Sequence, residues 1–373
     1  MKGGQVMLKF TVSKSEIEKK ISIASSAIGS RTVDPILQCL LFKPLNGHIN
    51  IYATDLQTSV ISQVQVGEYE GNDAFAVDAE LVDDIVRNLP EDEVIFEYSN
   101  GKLLVRSGKA KYNITTVSDI ERFPIVDTDE SGIKFSVETS ILEEMLDKVS
   151  FCASSESAMR ALNGVYWEIH GGFLRLVASD GYRLGLAEQK LNLENEFDFI
   201  IALKSIKELE KLLSSTTEPV INITYDHSLV SFNAGDVTTI VRTVEETFPD
   251  YKRVLPKAFK TRVILNLDDF SEALKRVMVI SKRGNEKVQL KITDDLMELT
   301  SQSSDFGEAV ESIPITKDGE DLIVNFNPKF LNEPLKHIDE KEIEFNFVDN
   351  LSPLQINPRN VGGYIYIVLP VRA

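Results

Sequence analysis

Cysteine is nearly absent: Cys39 and Cys152 are the two in 373 residues, and they stand far apart. That excludes a disulfide-built scaffold and fits a reducing compartment, so a cytoplasmic protein is expected. Long apolar runs are missing too; none approaches the ~20 residues that a membrane-spanning helix needs. Met1 to Phe10 has neither an apolar h-region nor a cleavage-site pattern, so no export signal is expected. The four histidines, His48, His170, His227 and His337, are scattered, whereas a zinc site needs clustered His and Cys ligands. A phosphate-cradling GxxxxGK loop, a GxSxG elbow and an HExxH helix are all lacking. The expectation is a non-enzyme with no catalytic residues, no metal and no cofactor. Positive charge is also short: 40 Lys and Arg face 58 Asp and Glu, a net charge of −18. That balance argues against gripping nucleic acid over the whole surface, yet leaves room for a basic patch inside an acidic shell.

What is present is repetition. With 43% apolar and 26% charged residues the chain reads as ordinary and globular, and its length suits two or three domains. A strand running into a helix opens three segments: LKFTVSKSEIEKKISIASSAI from Leu8, IKFSVETSILEEMLDKVSFCA from Ile133, and RVILNLDDFSEALKRVMVIS from Arg262. Phe10 and Phe135 are 125 residues apart. A second strand-helix landmark recurs at FAVDAELVDDIVRNL, FIIALKSIKELEKLL and LIVNFNPKFLNEPLKHI, where Val77, Ile201 and Val324 are spaced by 124 and 123 residues. A third, an alternating strand pair closing on proline, ends at Pro124, Pro249 and Pro370, spaced by 125 and 121. Three landmarks at nearly one period define a triplication. Each copy reads as two strand-helix-strands units, so the fold class is α+β, three tandem copies of one domain with a large antiparallel component.

Helical spacing places Ile17, Ile21, Ala24 and Ile28 on one face in the first copy. Leu142, Leu146 and Val149 do so in the second, and Phe270, Leu274 and Val277 in the third. Ser13, Thr139 or Ser140, and Asp268 are the expected N-caps. Pro334, inside the last helical pattern, should kink that helix or restart it. Trp167 lies in an alternating strand and reads as core. Asp83-Asp84, Asp268-Asp269 and Asp294-Asp295 read as helix-start charge and solvated loop rather than metal ligands. Gly171-Gly172 and Gly362-Gly363 read as tight turns.

Basic residues on the helices are more informative. Lys204, Lys207 and Lys211 fall at i, i+3 and i+7, a stripe opposite Leu203, Ile206 and Leu209 or Leu213. Other helical patterns carry Lys14, Lys19 and Lys20, then Lys275 and Arg276 followed by Lys282 and Arg283, then Lys329 and Lys336. Two readings compete. These are solvated faces balanced by nearby acids, or, if all six helices face one cavity, a positive lining that neutralises phosphates without reading bases.

Four segments carry a further signal: MRALNGVYW (Met159 to Trp167), VASDGYRL (Val177 to Leu184), FPDYKRVLP (Phe248 to Pro256) and YIVLPVRA (Tyr366 to Ala373). With GSRTVDPIL (Gly29 to Leu37), in this order and spacing, they resemble the bacterial DNA polymerase III beta subunit, the family of replicative sliding clamps. The resemblance covers essentially the whole chain from Met7, which matches the family's usual start, with MKGGQV as an extension before it. It implies a DNA-clamp fold with three clamp domains, over 7–130, 131–257 and 258–373, forming a crescent. Two crescents join head to tail as a homodimeric closed ring around duplex DNA, helices lining the hole and continuous sheets outside. An acidic exterior around a basic interior then reconciles the net charge with DNA. The implied function is topological tethering of a polymerase, a processivity factor that raises effective concentration at the primer end. Implied partners are double-stranded DNA held without sequence specificity, the replicative polymerase alpha subunit, the clamp loader and other clamp-binding-motif proteins. They place the protein in the cytoplasm at the nucleoid and replisome, with no membrane.

Partners in this family insert a short peptide, with a glutamine and terminal hydrophobic residues, into a pocket between the second and third domains. The matching positions here are Leu162, Ser179, Gly181, Tyr182, Arg183 and Leu184, then Pro249 and Val254, then Ile367, Leu369, Pro370, Val371 and Arg372. Aliphatic walls suit apolar anchors, while Arg183, Arg372 and exposed backbone would orient the peptide. Ser179 stands where the family often has Thr and Tyr182 where it often has His. Leu369 and Val371 replace flexible methionines of some members, giving a stiffer floor. Arg31 and Lys204 match DNA-contacting positions, and Lys207 and Lys211 extend them along the stripe, whereas Glu80 replaces a basic residue of some members. For ring closure, Tyr112 and Ile114 match an edge strand that packs against Val279 and Ile280. Lys109 and Lys111 would pair with Glu308 and Glu311 across that seam. Two other readings stay open: a triplicated-domain protein-binding scaffold without a DNA role, and a hydrolase using carboxylates such as Asp55 and Asp180. Those two acids are 125 residues apart, a repeat position that favours a structural turn.

Overall fold

The computed structural model describes residues 6–29, 34–126, 131–281 and 286–371. Alternation builds its strands: Leu8, Phe10 and Val12 of Leu8–Ser13 are buried on one side, and Phe135 and Val137 repeat this in Ile133–Glu138. Six α-helices lie among the described residues: α1 (Lys14–Ser25), α2 (Ala79–Arg87), α3 (Thr139–Ser150), α4 (Leu203–Ser215), α5 (Leu267–Ser281) and α6 (Pro328–Asn332). The Ser13 hydroxyl caps α1, accepting the Glu16 N–H at 3.2 Å. The third-copy cap differs from expectation, because the Asn266 side chain accepts the Asp269 N–H at 3.1 Å and Asp268 lies inside the first turn of α5. A carboxylate there still favours the helix dipole. Pro334 restarts its helix: α6 ends at Asn332 and a 3-10 turn covers Pro334–His337. Two of the proline landmarks are 3-10 turns, Ile120–Arg122 and Tyr251–Arg253, rather than strands. A proline beside them removes a ladder donor. The third landmark is a strand, Tyr364–Val368, running to Pro370.

The chain packs as two compact units, one of residues up to 141 with 207–243, the other of 142–206 with 244 onward. The first unit contains a five-stranded and an eight-stranded sheet. Within the larger one, Thr58–Gln65 of the first copy pairs antiparallel with Val237–Arg242 of the second, Ser62 opposite Val237. α1 lies against Thr58–Gln65 and His48–Thr54 and buries Ile17, Ile21 and Ala24. The second unit contains a nine-stranded and a four-stranded sheet. Here Arg183–Lys190 of the second copy pairs antiparallel with Tyr364–Val368 of the third, Leu184 opposite Ile367. α5 covers Leu296–Ser303 and Gly307–Pro314, burying Phe270, Leu274 and Val277. Trp167 is core, stacked on Phe199 at 5.5 Å. Both cysteines are buried free thiols.

The repeat is visible strand by strand. Cys39–Leu45, His48–Thr54 and Thr58–Gln65 recur as Gly164–His170, Phe173–Ser179 and Arg183–Lys190, displaced by 125 residues at both ends. Gly307–Pro314 lies a further 124 residues on from Arg183–Lys190, again at both ends.

Candidate functional site

The second inter-copy pairing organises most of the expected pocket residues. Leu162, Leu184 and Ile367 belong to one buried cluster with Val177, Leu186, Ile200, Phe248 and Tyr251. The strand pairing continues past Val368, the Leu369 N–H donating to the Tyr182 carbonyl at 2.9 Å, and the Val371 N–H donates to the Asn325 carbonyl at 2.8 Å. Tyr182, Val254, Leu369 and Val371 leave apolar side chains exposed around this buried floor, with Pro249 exposed and Pro370 half-buried. Exposed apolar groups over an aliphatic floor suit a docked apolar peptide. Arg372 lies outside the described residues.

The turn before Leu184 is built by its own side chains. The Ser179 hydroxyl donates to the Arg183 carbonyl at 2.7 Å, and Asp180 Oδ1 accepts the Tyr182 and Arg183 N–H groups at 2.9 and 3.1 Å. Gly181 takes φ +90°, a conformation that favours glycine. Asp55 does the same work 125 residues earlier, accepting from Gln57 and Thr58 N–H at 3.0 and 2.7 Å. Both acids anchor turns, as their repeat positions suggest.

Arg183 is fastened within the chain. Its side chain is 10% exposed and lies between two rings, 5.6 Å from the Phe151 centroid and 4.8 Å from that of Phe330. Nε donates to Asp180 at 3.0 Å, one terminal nitrogen donates to the Phe151 carbonyl at 2.9 Å, and the other pairs with Glu333. Burial opposes its charge, but its partners outweigh that cost and hold the guanidinium firmly protonated. These contacts, made inside the chain, make Arg183 a brace at the second inter-copy junction. Phe330 and Glu333 complete that brace, and Tyr182 stacks over Phe330 at 6.3 Å. Sequence reasoning missed both, since their only local signal was a helical pattern interrupted by Pro334.

The helix bases meet different surroundings. Lys204, Lys207 and Lys211 are exposed on α4, while Ile206, Leu209, Leu212 and Leu213 are buried; Lys211 also pairs with Glu208 at 2.9 Å. Others are occupied elsewhere. Lys14 Nζ donates to the Arg87 and Leu89 carbonyls at 2.8 Å, closing the end of α2. Lys20 is 2% exposed and paired with Asp236. Arg276 holds Glu311 through two contacts of 2.9 and 3.1 Å, and Lys329 pairs with Glu286 at 2.7 Å. Of the two readings open for the helix bases, that of cations balanced within the chain fits these four. Arg31, Lys282 and Arg283 lie outside the described residues.

The expected seam residues sit on or beside two sheet-end strands and on α5. Tyr112 and Ile114 lie on Ala110–Thr115, at one end of the five-stranded sheet, with Lys109 and Lys111 exposed beside them. Glu308 and Glu311 lie on Gly307–Pro314, at one end of the four-stranded sheet. Val279 on α5 and Val310 on that strand are 59% and 51% exposed, Ile280 is half-buried, and Phe306 precedes the strand with its ring exposed. Arg276 already lowers the titration of Glu311 by hydrogen bonding to it.

Three family models match in succession: the N-terminal domain of the DNA polymerase III beta subunit over residues 8–127, the central domain over 136–250 and the C-terminal domain over 252–372. A solved DNA polymerase III beta subunit from Thermotoga maritima is 46% identical, with a TM-score of 0.91, covering 98% of this chain and 100% of that one. The chain belongs to the DNA polymerase III beta subunit family. Its function is that of the family, a DNA sliding clamp. The beta sliding clamp of Proteus mirabilis is 27% identical over 367 residues, 98% of this chain and all of that protein. A Pseudomonas aeruginosa sliding clamp, solved bound to griselimycin, is 25% identical with a TM-score of 0.92 over the whole of both chains. Among the described residues no helix is long and apolar enough to cross a membrane.

Proposed function

We propose that two copies of this chain close head to tail into a ring around duplex DNA and hold partner proteins by a peptide seated at the second inter-copy junction. One observation carries the ring. Thr58–Gln65 and Arg183–Lys190 are repeat counterparts, and each pairs antiparallel with a strand of the following copy. The third counterpart, Gly307–Pro314, ends its sheet, and so does Ala110–Thr115, which occupies in the first copy the place of Val237–Arg242 in the second. Two ends of matching repeat position on each protomer make a closed, two-fold assembly the natural completion. Tyr112, Val279 and Ile280 supply its apolar contacts, whereas Ile114, expected at this seam from the sequence, is 5% exposed and already packed inside its own copy. Glu308 is a better seam partner for Lys109 or Lys111 than Glu311, which already holds Arg276.

Exposed Lys204, Lys207 and Lys211 supply the phosphate contacts of the ring, together with Arg31, and read no base. Domains of 7–130, 131–257 and 258–373 follow from the repeat. The partner pocket is formed by Leu162, Leu184, Val254, Ile367 and Leu369, with Arg183 as brace; the replicative polymerase and the clamp loader are the partners that the family suggests. This reading needs no catalytic group in the chain, and it places the protein in the cytoplasm.

The test is retention on nicked circular DNA after a high-salt wash, against the same DNA linearised, using an active cognate loader and a loader-free control. Electrostatic binding weakens steeply with salt on both substrates. Retention on circles alone is expected. Equal loss from both favours a protein-binding scaffold, and a solution mass of 41.8 kDa rather than twice that would argue the same way.

A further inference from the structure

A second hollow opens beside the partner pocket, on the same face of the nine-stranded sheet. Two residues along from the Leu184–Ile367 pair, Leu186 stands opposite Ile365. There a cleft of about 330 Å³ is floored by Leu186, Ile365 and Leu255, which pack into the cluster that contains Leu162 and Leu184. Gly363 lines one end: its φ is +87°, and a Cβ there would stand 2.7 Å from the Glu188 carbonyl oxygen, so the close approach of the two segments requires glycine.

The wall is polar but internally satisfied. Glu168 accepts the Tyr251 hydroxyl and Lys252 Nζ, both at 2.7 Å, and Arg175 at 3.2 Å, while Arg175 also holds Glu188. Two cations and two carboxylates balance one another. A charged visitor would find its counter-charges taken, whereas an apolar group would bury Leu186, Leu255 and Ile365 without stranding a charge.

We infer that this cleft takes an additional apolar side chain of the partner peptide, of leucine to phenylalanine size, from residues flanking the glutamine-and-hydrophobic motif. The inference rests on the pocket reading above. The shared floor argues that one peptide reaches both hollows: two residues along a strand span about 7 Å, within reach of an extended dipeptide.

The experiment is fluorescence anisotropy with the full chain and labelled peptides. One carries the motif alone; others add three residues at either end, with a leucine or with glycines only. One leucine extension is expected to bind about tenfold tighter than its glycine counterpart. Leu255→Trp, which fills the cleft, and Leu255→Gln, which makes its floor polar, should each remove that gain, with the melting temperature and the motif peptide's Kd unchanged. No advantage for either leucine extension, or a gain that survives both variants, overturns the inference. Failure of the motif peptide itself to bind overturns the pocket reading instead.

Discussion

The two inter-copy junctions share a backbone and differ in nearly everything laid on it. In each, the strand after the shared turn pairs with the next copy, and the partner chain donates one more N–H beyond the ladder. Arg242 donates to the Gln57 carbonyl at 2.8 Å in the first, and Leu369 to the Tyr182 carbonyl at 2.9 Å in the second. Gln63 N–H to the Asp236 carbonyl at 2.8 Å matches Glu188 N–H to the Gly363 carbonyl at 2.6 Å. Their clusters correspond residue by residue, Leu37 with Leu162 and Phe123 with Phe248, each 125 positions apart.

The side chains then diverge. Ser59 at the first junction, its hydroxyl 2.7 Å from that of Thr54, stands where Leu184 floors the second. Tyr52 fills the place of Val177, Thr238 that of Ile365, and Arg242 that of Leu369. Asp236, which receives buried Lys20, becomes Gly363, which lines the cleft. A duplicated backbone thus offers two junctions, and at one of them apolar side chains replace polar ones.

The comparison can be broken in four places. The largest effect is expected from Arg183→Ala, which leaves Asp180 and Glu333 facing each other without their cation; the loss should be about 3 kcal/mol. Thr58→Ala, at the matching place of the first junction, should cost about 1 kcal/mol. Urea denaturation measures both, and equal losses would refute the idea of a special brace at the second junction. Next, Leu184→Ser gives the second junction the first one's residue and should weaken motif-peptide binding about 100-fold, while Ser59→Leu leaves it untouched. Binding that survives Leu184→Ser would remove the floor from the account.

A smaller change is expected at the first junction. Lys20→Met keeps the packing, and Asp236, 48% exposed, regains water, so the loss should be about 1 kcal/mol. A double-mutant cycle with Asp236→Asn reads the coupling directly, and a value near zero would make the pair a bystander. The smallest effect concerns acid. Burial disfavours the ionised Glu168, but hydrogen bonds from Lys252 and Tyr251 outweigh it and hold the carboxyl below its ordinary range. A depressed native value means stability that is present above the ordinary carboxylate range, about 4.3, and lost as pH falls through the native one. Glu168→Gln should therefore lower the urea midpoint at pH 7, and the gap from the parent should close toward pH 3. A constant gap would mean that packing, not charge, is what the variant loses.

Much of the molecule is legible in its sequence. Three-fold periodicity, the helix faces of Ile17, Ile21 and Ala24 or of Phe270, Leu274 and Val277, the core position of Trp167 and the break at Pro334 all follow from local rules. Spacings of two and 3.6 residues report which side of an element is buried, and the α4 lysines are exposed as their stripe predicts. Legibility failed where two bases of like pattern meet unlike surroundings. Lys19 and Lys20 are neighbours on α1, yet one is exposed and the other buried against Asp236, a residue more than 200 positions away. The local pattern leaves the partners of Lys14, Arg183 and Arg276 open, and each is fastened within the chain: to the Arg87 and Leu89 carbonyls, to Asp180 and Glu333, and to Glu311.

By itself, then, the sequence determined the repeated domain, the strands and helices within each copy, the apolar side of each and the family to which the chain belongs. Only the tertiary structure decided which strand edges join between copies, which cations stay exposed, and that a buried Arg183 fastens the second junction. The reason is range. Periodicity and capping act over a few residues and are written in neighbouring letters, whereas strand pairing and ion pairing depend on groups that meet only after the chain has folded.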